Sequence, residues 1–338
     1  MVMLIVNQDS LQPAPEPTVT VLLATHNGLG FVGSQRSSIL QQSGIKVRVV
    51  VSDDASTDGT VEWLKQKVEE DEGVTVLPAG SFGLAAKNFY RLIVEADIGG
   101  SSYVAFSDQD ELWKPDKLSR AVRTLVAGSR GYSSDVLAFY PDGREAKVVK
   151  SQPRLEWDYL FSSAGPGCTY VVDAQPFAEF RSAVQQHWDA ACRAEHHDWL
   201  IYSWFRDQGY AWAIDPWPSM RYRQHDQNVL GANVGWRAKY GRVMQTLHGG
   251  PFEQVQDLAE VVGAKHELPI RLLESGRRLD LIRLSARVMN LRRTKTDALG
   301  LGAILLARAA LRANRAGRPA GLMGRVHGHK RVPAGGHV

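Results

Sequence analysis

Two carboxylates spaced one residue apart, Asp108 and Asp110, follow the apolar run 103–106. Just beyond a buried strand, such a pair can bracket one hard cation and its phosphate ligands. Mg²⁺ and Mn²⁺ prefer oxygen ligands and commonly take only one or two of them from the protein. The competing interpretation is a capped turn that leads into a helix after Pro115. The spacing therefore indicates a site for Mg²⁺ or Mn²⁺ together with a phosphate-bearing ligand.

Residues 26–28 and 52–59 form two further polar clusters, and each of them follows an apolar run. The second cluster contains the adjacent carboxylates Asp53 and Asp54. Their competing role is to cap the helix that follows. Asp58 lies closer to that helix and suits the capping role better, so Asp53 and Asp54 remain candidates for ligand binding.

A glycine fingerprint of the form G-x-G-x-x-G spans Gly28, Gly30 and Gly33, and Asp53 lies 20 residues beyond its last glycine. This arrangement is typical of dinucleotide binding and makes an NAD(P)-dependent oxidoreductase the alternative function. The first glycine of that motif usually follows its strand directly, whereas residues 25–27 intervene here. The oxidoreductase reading also assigns no role to the later acidic motifs.

The elements that must position these side chains alternate between strand and helix along the first third of the chain. The hydrophobic pattern predicts strands at 18–25, 47–51, 74–77 and 103–106, and helices at 34–42, 60–70 and 85–96. Such alternation favours a mostly parallel central sheet flanked by helices. Ligands of these sheets bind beyond the carboxyl ends of the strands. We therefore expect the three polar clusters to converge.

Composition excludes several classes of protein. The chain has 338 residues, of which 44% are apolar, enough for one large domain with an extension or for two domains. Cys168 and Cys192 are too few and too far apart for a disulfide scaffold or a cysteine-based zinc site, which favours a reducing compartment. The start lacks the basic region of a signal peptide, and no run of 18 apolar residues predicts a spanning helix.

Charge is distributed unevenly, since residues 271–338 carry 15 Lys and Arg against 3 Asp and Glu. An acidic body with a basic end favours contact with a membrane surface or an acidic partner, although a solvated helical face is the alternative. The pattern from Thr296 to Arg315 permits an amphipathic helix with a cationic face. That helix would dock on the anionic inner membrane or form a homodimer contact. Without interleaved aromatic residues, nucleic acid is not an expected partner.

Several motifs together resemble glycosyltransferase family 2 of the GT-A fold, and most closely its rhamnosyltransferase branch. The main one is S-D-Q-D-E-L-W-K-P-D-K-L at 107–118, where Glu111 replaces an Asp. The others are A-T-H-N-G at 24–28, S-D-D-A-S-T-D-G-T at 52–60, G-L-A-A-K-N-F at 83–89, H-D-W at 197–199, and Y-R-Q-H at 222–225 with Asn228 and Gly231. His26 and Ala55 depart from the Tyr and Gly of that pattern. The match covers 18–232, about two thirds of the chain.

The resemblance implies a role for each matching position. The donor nucleotide would be bound by Thr25, Asn27, Asp53, Asp54, Gly83, Asn88 and Asp108. Asp110 would ligate the metal, and His225 would be a further metal ligand or a hydrogen-bond donor to the phosphate. Asp198 would be the general base that takes the proton of the acceptor hydroxyl. It stands at a predicted helix start, where the helix dipole favours its ionised form; its competing role is an N-cap. Cys168 is interpreted as a packing residue.

The resemblance also implies the domain plan and the activity. We expect a flexible lead-in at 1–17, a GT-A catalytic domain at 18–235, a basic helical extension at 236–316 and a disordered tail at 317–338. The activity would be inverting and metal-dependent, moving a sugar from a dTDP- or UDP-sugar, with dTDP-L-rhamnose the best single donor. The acceptor would be a cell-envelope polysaccharide or glycolipid, met in the cytoplasm or on the inner face of its membrane. An inactive relative that serves as a binding subunit remains an alternative.

Overall fold

The structure is a computed structural model that describes residues 16–70, 72–224 and 250–316. Its first part alternates strands with helices, as the sequence predicts. The elements are β1 (Thr18–Thr25), α1 (Leu29–Leu40), β2 (Lys46–Asp53), α2 (Thr60–Glu70), β3 (Val74–Val76), α3 (Ala85–Glu95) and β4 (Tyr103–Ser107). The lead-in before residue 16, His225 and the tail 317–338 lie outside the described residues.

The largest departure from the predicted bounds is the start of α1, which lies at Leu29 rather than at residue 34. Asp58 supplies the reason. One of its carboxylate oxygens accepts from the backbone N–H of Leu29 (3.0 Å), and the other accepts from the N–H of Thr60 (3.1 Å). A single side chain thus satisfies a free N–H at the start of two helices. The cap of α1 comes from a residue 29 positions away, so local sequence could not predict it.

The second part of the chain carries shorter strands and longer helical stretches. After β4 come β5 (Leu112–Trp113), α4 (Lys117–Val126), β6 (Gly131–Ser134), β7 (Val136–Phe139), β8 (Glu145–Val148), β9 (Val171–Asp173), α5 (Ala174–Gln186), α6 (Trp188–Arg193), α7 (His197–Asp207), β10 (Trp212–Asp215) and β11 (Met220–Arg223). The described C-terminal part is helical, with α8 (Gly250–Val262), α9 (Leu268–Ser275), α10 (Arg278–Ser285) and α11 (Lys295–Ala316).

A seven-stranded sheet with the order β10-β6-β9-β4-β1-β2-β3 forms the centre. Strand β1 pairs in parallel with β2 and with β4, whereas β9 runs antiparallel between β4 and β6. The register places Thr25 beside Asp53 and Leu23 beside Ser107, so the polar turns after these strands emerge at the same edge. A second, smaller sheet has the order β5-β11-β7-β8. The turn after β4 leads directly into β5 and so connects the two sheets.

Two apolar clusters cover the two faces of the central sheet, because alternate residues of β1 point to opposite sides. Val21 and Leu23 pack with α1, α2 and α4, whereas Leu22 packs with α3, α5 and α7. Buried residues of α8 to α11, such as Leu258 and Leu305, belong to this second cluster. The C-terminal helices therefore share the core of the α/β body formed by the central sheet.

A buried ion cluster also joins the two parts. Asp158 is fully buried and accepts from Arg206 (3.0 Å) and Arg293 (2.9 Å), and the hydroxyl of Tyr202 donates to it (2.9 Å). Each carboxylate oxygen is thus compensated by a guanidinium, which offsets the cost of burying the charge. Because Arg206 lies on α7 and Arg293 precedes α11, this cluster fixes the extension against the helix that carries Asp198. In the described parts of the chain, no helix combines the length and apolar composition needed to cross a bilayer.

Candidate active site

A cleft of about 470 Å³ opens at the edge of the sheet where β1, β2 and β4 end. It is lined by most of the residues to which the sequence assigns a role, namely Thr25, Asp54, Gly83, Asn88, Asp108, Asp110 and Asp198. Asn27 and Asp53 stand outside this lining. The expected convergence of the polar clusters is confirmed for all three strand ends.

Gln109, between the two carboxylates of the D-Q-D run, fixes the turn after β4 to the turn after β1. Its side-chain Nε2 donates to the carbonyl of His26 (2.9 Å), and its Oε1 accepts from the N–H of the same residue (2.9 Å). A Cβ at Gly28 would lie 2.0 Å from that Oε1. A side chain at position 28 would therefore displace the amide of Gln109 from this pairing, which helps to position Asp108 and Asp110.

The dinucleotide fingerprint does not form a glycine-rich loop in this fold. Gly30 and Gly33 both lie inside α1. In the dinucleotide-binding motif the first glycine makes the tight turn and the second allows the backbone to approach the pyrophosphate. Here only Gly28 precedes the helix, so the placement of the glycines departs from that motif.

The carboxylates after β4 lie close enough to change one another's proton affinity. Burial, together with the nearby charges of Asp110 and Asp198, raises the pKa of Asp108 to about 7. Burial also raises the pKa of Glu111, with Asp108 and Asp110 adding to the effect. Ligand atoms of Asp108, Glu111 and Cys168 lie within 4.8 Å of one another. A divalent cation would reduce the repulsion between these crowded carboxylates and would be bound by their oxygen atoms. The carboxylates of this group therefore fit the predicted metal.

A buried lysine lies behind this acidic group. Lys117 is fully buried, with its Nζ 3.4 Å from the centre of the Trp113 ring. Burial lowers its pKa to about 7, while the charges of Cys168 and Glu111 oppose that shift. The sequence motif contains both Lys117 and Trp113. Only the structure shows that Lys117 is buried against the Trp113 ring and lies close enough to Glu111 for their charges to interact.

Asp53 and Asp54 use their carboxylates mainly to shape the turns around the cleft. Asp53 accepts from the hydroxyls of Thr25 (2.7 Å) and Ser56 (2.6 Å), and thus contacts the cleft through Thr25. Asp54 accepts from the backbone N–H of Phe82 and of Gly83 (2.9 Å). Asp54 therefore holds the loop before α3 at the wall of the cleft.

Three other predicted positions shape the same wall. Asn88 donates from Nδ2 to the carbonyl of Ser52 (2.9 Å), and so holds the end of β2. Gly83 has a φ of 73°, a conformation that favours glycine. Asn27 has a φ of 47° and accepts from the N–H of Thr57 (2.8 Å), which joins the turn after β1 to the turn after β2. Asn27 thus supports the cleft without lining it.

Asp198 lies in the first turn of α7, as predicted, and its Oδ1 accepts from the N–H of Trp199 (2.8 Å). Burial raises its pKa, while Ser163 and Lys150 oppose the shift by a hydrogen bond and by charge. The N-terminus of α7 favours the ionised form of this carboxylate, whereas burial acts in the opposite direction. A raised pKa makes the carboxylate a stronger base.

Gly167 is a functional position that the sequence reasoning missed. A Cβ there would lie 3.0 Å from Cβ of Asp198 and 2.6 Å from Nε2 of His197. His197 stacks on Phe89 with 3.8 Å between ring centres, and burial lowers its pKa to about 3, so the ring is neutral. The G-P-G run at 165–167 was the available signal, but the close approach of α7 is visible only in three dimensions.

Comparison with known proteins assigns the class. Residues 20–186 match the family model "Glycosyl transferase family 2". The chain is 41% identical over 224 residues to the dTDP-rhamnosyl transferase RfbG of Shigella flexneri, covering 65% of this chain and 78% of that relative. It is 28% identical over 165 residues to the putative teichuronic acid biosynthesis glycosyltransferase TuaG of Bacillus subtilis, covering 47% and 64% of the two chains. The chain belongs to glycosyl transferase family 2.

The structures of Staphylococcus aureus TarS 1-349 and of mannosyltransferase PcManGT from Pyrobaculum calidifontis in complex with GDP-Man and Mn²⁺ are also similar, both with a TM-score of 0.47. TarS is 14% identical and covers 90% of this chain and 93% of its own; PcManGT is 16% identical and covers 91% of each. A TM-score of 0.47 is too low for either similarity to support a statement about the fold or the activity of this chain. Family membership and the mixed α/β sheet agree with the predicted GT-A fold. The activity is glycosyl transfer from a nucleotide-sugar donor, which replaces the oxidoreductase alternative.

Proposed function

We propose that this protein transfers L-rhamnose, with inversion, from dTDP-L-rhamnose to a hydroxyl of a cell-envelope polysaccharide or glycolipid, with the help of a divalent cation. One observation carries the proposal: Asp108, Asp110 and Asp198, which come from two distant parts of the sequence, line one cleft of about 470 Å³. The choice of donor follows the relative that is 41% identical and is named as a dTDP-rhamnosyl transferase.

Asp110 and Asp108 are the residues that would hold Mg²⁺ or Mn²⁺. Bound there, the cation supplies positive charge to the diphosphate of the leaving nucleotide. Gln109 holds both carboxylates against β1 through its two hydrogen bonds to His26. The carboxylates therefore meet the donor from a fixed position, which lowers the entropic cost of binding it.

The nucleoside of the donor is proposed to bind between the ends of β1 and β2. Thr25, Asp54 and Asn88 line that part of the cleft. Asp53 acts one step behind them, because its carboxylate accepts from the hydroxyl of Thr25 and orients it. Gly83 completes the wall, with its N–H directed to Asp54.

Asp198 is the proposed general base. Its carboxylate takes the proton of the acceptor hydroxyl while the acceptor oxygen attacks the anomeric carbon of the sugar. Attack occurs on the face opposite the leaving nucleotide, so the configuration at that carbon is inverted. Burial, which raises the pKa of Asp198, increases its affinity for this proton.

The test is a panel of nucleotide sugars incubated with the purified full chain, with Mg²⁺, with Mn²⁺ or with EDTA. We expect release of dTDP from dTDP-L-rhamnose that EDTA abolishes. Faster release from a UDP-sugar would change the donor, and release unaffected by EDTA would reject the metal. A chain that binds dTDP but turns over no donor would be a binding subunit.

A further inference from the structure

Helix α11 exposes an apolar face. Leu299 is 62% exposed and Leu306 is 50% exposed, and they lie one heptad apart with the exposed Ala303 and Ala310 on the same face. Leu311, 54% exposed, borders them. The opposite face, with residues such as Leu305, packs into the core. Soluble helices normally place charged residues on their outer face, so this side of α11 departs from the usual pattern.

The neighbouring helix α10 adds apolar and cationic groups. It packs against α11, and Arg312 of α11 donates to the carbonyl of Gly276 just before it. Leu279 is 66% exposed, and the exposed Ile282 and Arg278 lie near it on the same helix. We call the exposed side chains of this helix pair the docking surface; its apolar members are Leu279, Ile282, Leu299, Leu306 and Leu311.

Charge selects the occupant of this surface. The exposed charged side chains of α10, and of α11 up to residue 312, are Arg278, Arg283, Lys295 and Arg312 against Asp297. Within α10 the single carboxylate, Asp280, is buried and pairs with Arg283 (2.9 Å). Exposed apolar side chains that share two helices with an excess of exposed positive charge complement a bilayer that contains anionic lipid, because leucines can enter the acyl boundary while cations meet headgroups.

The docking surface is connected to the acceptor side of the cleft. In the turn before α11, Arg293 donates to the carbonyl of Ser163 (2.6 Å), and Arg292 donates to the carbonyl of Phe161. Ser163 in turn hydrogen-bonds Asp198, the proposed base. The same turn therefore contacts both α11 and the loop beside Asp198.

We propose that α10 and α11 dock on the surface of an anionic phospholipid bilayer, which would present a lipid-linked acceptor to the loop beside Asp198. The docking half of this proposal stands independently of the transfer reaction, and the acceptor half rests on the proposed function. Burial of two leucines and contact of several arginines with headgroups supply the affinity.

The test is flotation of the full chain with vesicles of phosphatidylcholine, with and without phosphatidylglycerol. We expect binding only to the anionic vesicles, weakened by added salt. The double variant Leu299→Gln, Leu306→Gln should lower partitioning at least about tenfold, since it removes two apolar side chains from the acyl boundary. Arg278→Glu should weaken binding to anionic vesicles by a similar factor. Val126→Gln, an exposed apolar position on α4, is the matched control and should float like the wild type.

Two results would overturn the proposal. One is flotation of the leucine variant equal to that of the wild type. The other is a dimer in lipid-free solution, seen by light scattering, that the leucine variant converts to a monomer, because a second copy would then be the occupant. Hydrolysis of the donor without vesicles should be equal in the wild type and the leucine variant. Loss of hydrolysis in both would reject the proposed function and leave the flotation result standing.

Discussion

At the scale of single residues, the active-site proposal depends on carboxylates that the fold places in unlike surroundings. Asp198 stands at a helix start and Asp108 beyond a strand, yet both line one cleft. Burial raises the pKa of both, for Asp108 to about 7. Asp198, the proposed base, and Asp108, the proposed metal ligand, thus have pKa values shifted in the same direction. Their roles must be distinguished by different measurements, namely turnover for Asp198 and metal binding for Asp108.

Replacing Asp198 by Asn should lower kcat about 10²- to 10⁴-fold, because it removes the group that takes the acceptor proton. Binding of dTDP, measured by thermal shift in the presence of Mn²⁺, should be unchanged. Asp189→Asn is the matched control, since Asp189 is an exposed carboxylate in the first turn of α6. Full activity of the Asp198 variant would assign the base to another residue.

Binding of Mn²⁺ should weaken as the pH falls below about 7. The metal binds ionised carboxylates, and Asp108 becomes protonated as the pH falls through its raised pKa. Calorimetric titration of the apoprotein with Mn²⁺ at a series of pH values measures this. Asp110→Asn should abolish binding, whereas Asp116→Asn, an exposed position outside the cleft, should not. An affinity independent of pH across that range would contradict Asp108 as a ligand.

Gly167→Ala should lower kcat about 10²-fold, because the added methyl group would meet His197 at 2.6 Å and Asp198 at 3.0 Å and displace the base. The KM for the donor should change little. Gly30→Ala is the control: it lies in open space on α1 and should raise stability by about 0.5–1 kcal/mol with full activity. Kinetics and urea unfolding of both variants measure this. Loss of activity in the Gly30 variant would revive a role for the glycine fingerprint.

At the scale of elements, the contact between the C-terminal helices and α7 depends on a buried charge. Arg293→Met should destabilise the fold by about 3 kcal/mol, because it leaves Asp158 buried with one guanidinium fewer. Arg283→Met removes a guanidinium that is itself exposed, and Asp280 keeps its hydrogen bond from Ser275, so this variant should cost about 0–1 kcal/mol. Denaturant unfolding of both variants measures the difference, and equal costs would contradict the role of the Asp158 cluster.

The alternation of strands and helices was predictable because strands buried on both faces read as continuous apolar runs, as in β1 and the core of β2. The polar turns after them predicted where the site would form. The start of α1 was not predictable, since its cap comes from Asp58 across the fold. The close contacts that a side chain would make at Gly28 or Gly167 were not predictable either, because they involve residues from distant segments of the chain.

At the scale of the whole molecule, the C-terminal helices are part of the catalytic body. Leu258, Leu273, Leu284 and Leu305 are buried in the apolar cluster that contains α3 and α7. Helix α8 packs against both α6 and α7. The sequence predicts a domain boundary near residue 235, but the described helices beyond residue 250 pack into the same core as the helices before it.

A chain that ends before Gly250 should therefore lose cooperative unfolding. Its exposed apolar surface should bind the dye ANS and its near-ultraviolet circular dichroism should be weak, while helical content remains. The full chain measured under the same conditions is the control. A cooperative transition in the shortened chain would show that residues 250–316 are dispensable for folding.

The pairing of Gln109 with the turn after β1 has a consequence for sequence variation. The side-chain amide of Gln109 hydrogen-bonds the backbone N–H and carbonyl of residue 26. These two bonds do not involve the side chain of residue 26. The ring of His26 adds a contact to the carbonyl of Asp54, but the amide pairing does not depend on it. Exchanging histidine for tyrosine at this place leaves the link between the two turns intact, whereas losing the glutamine would break it.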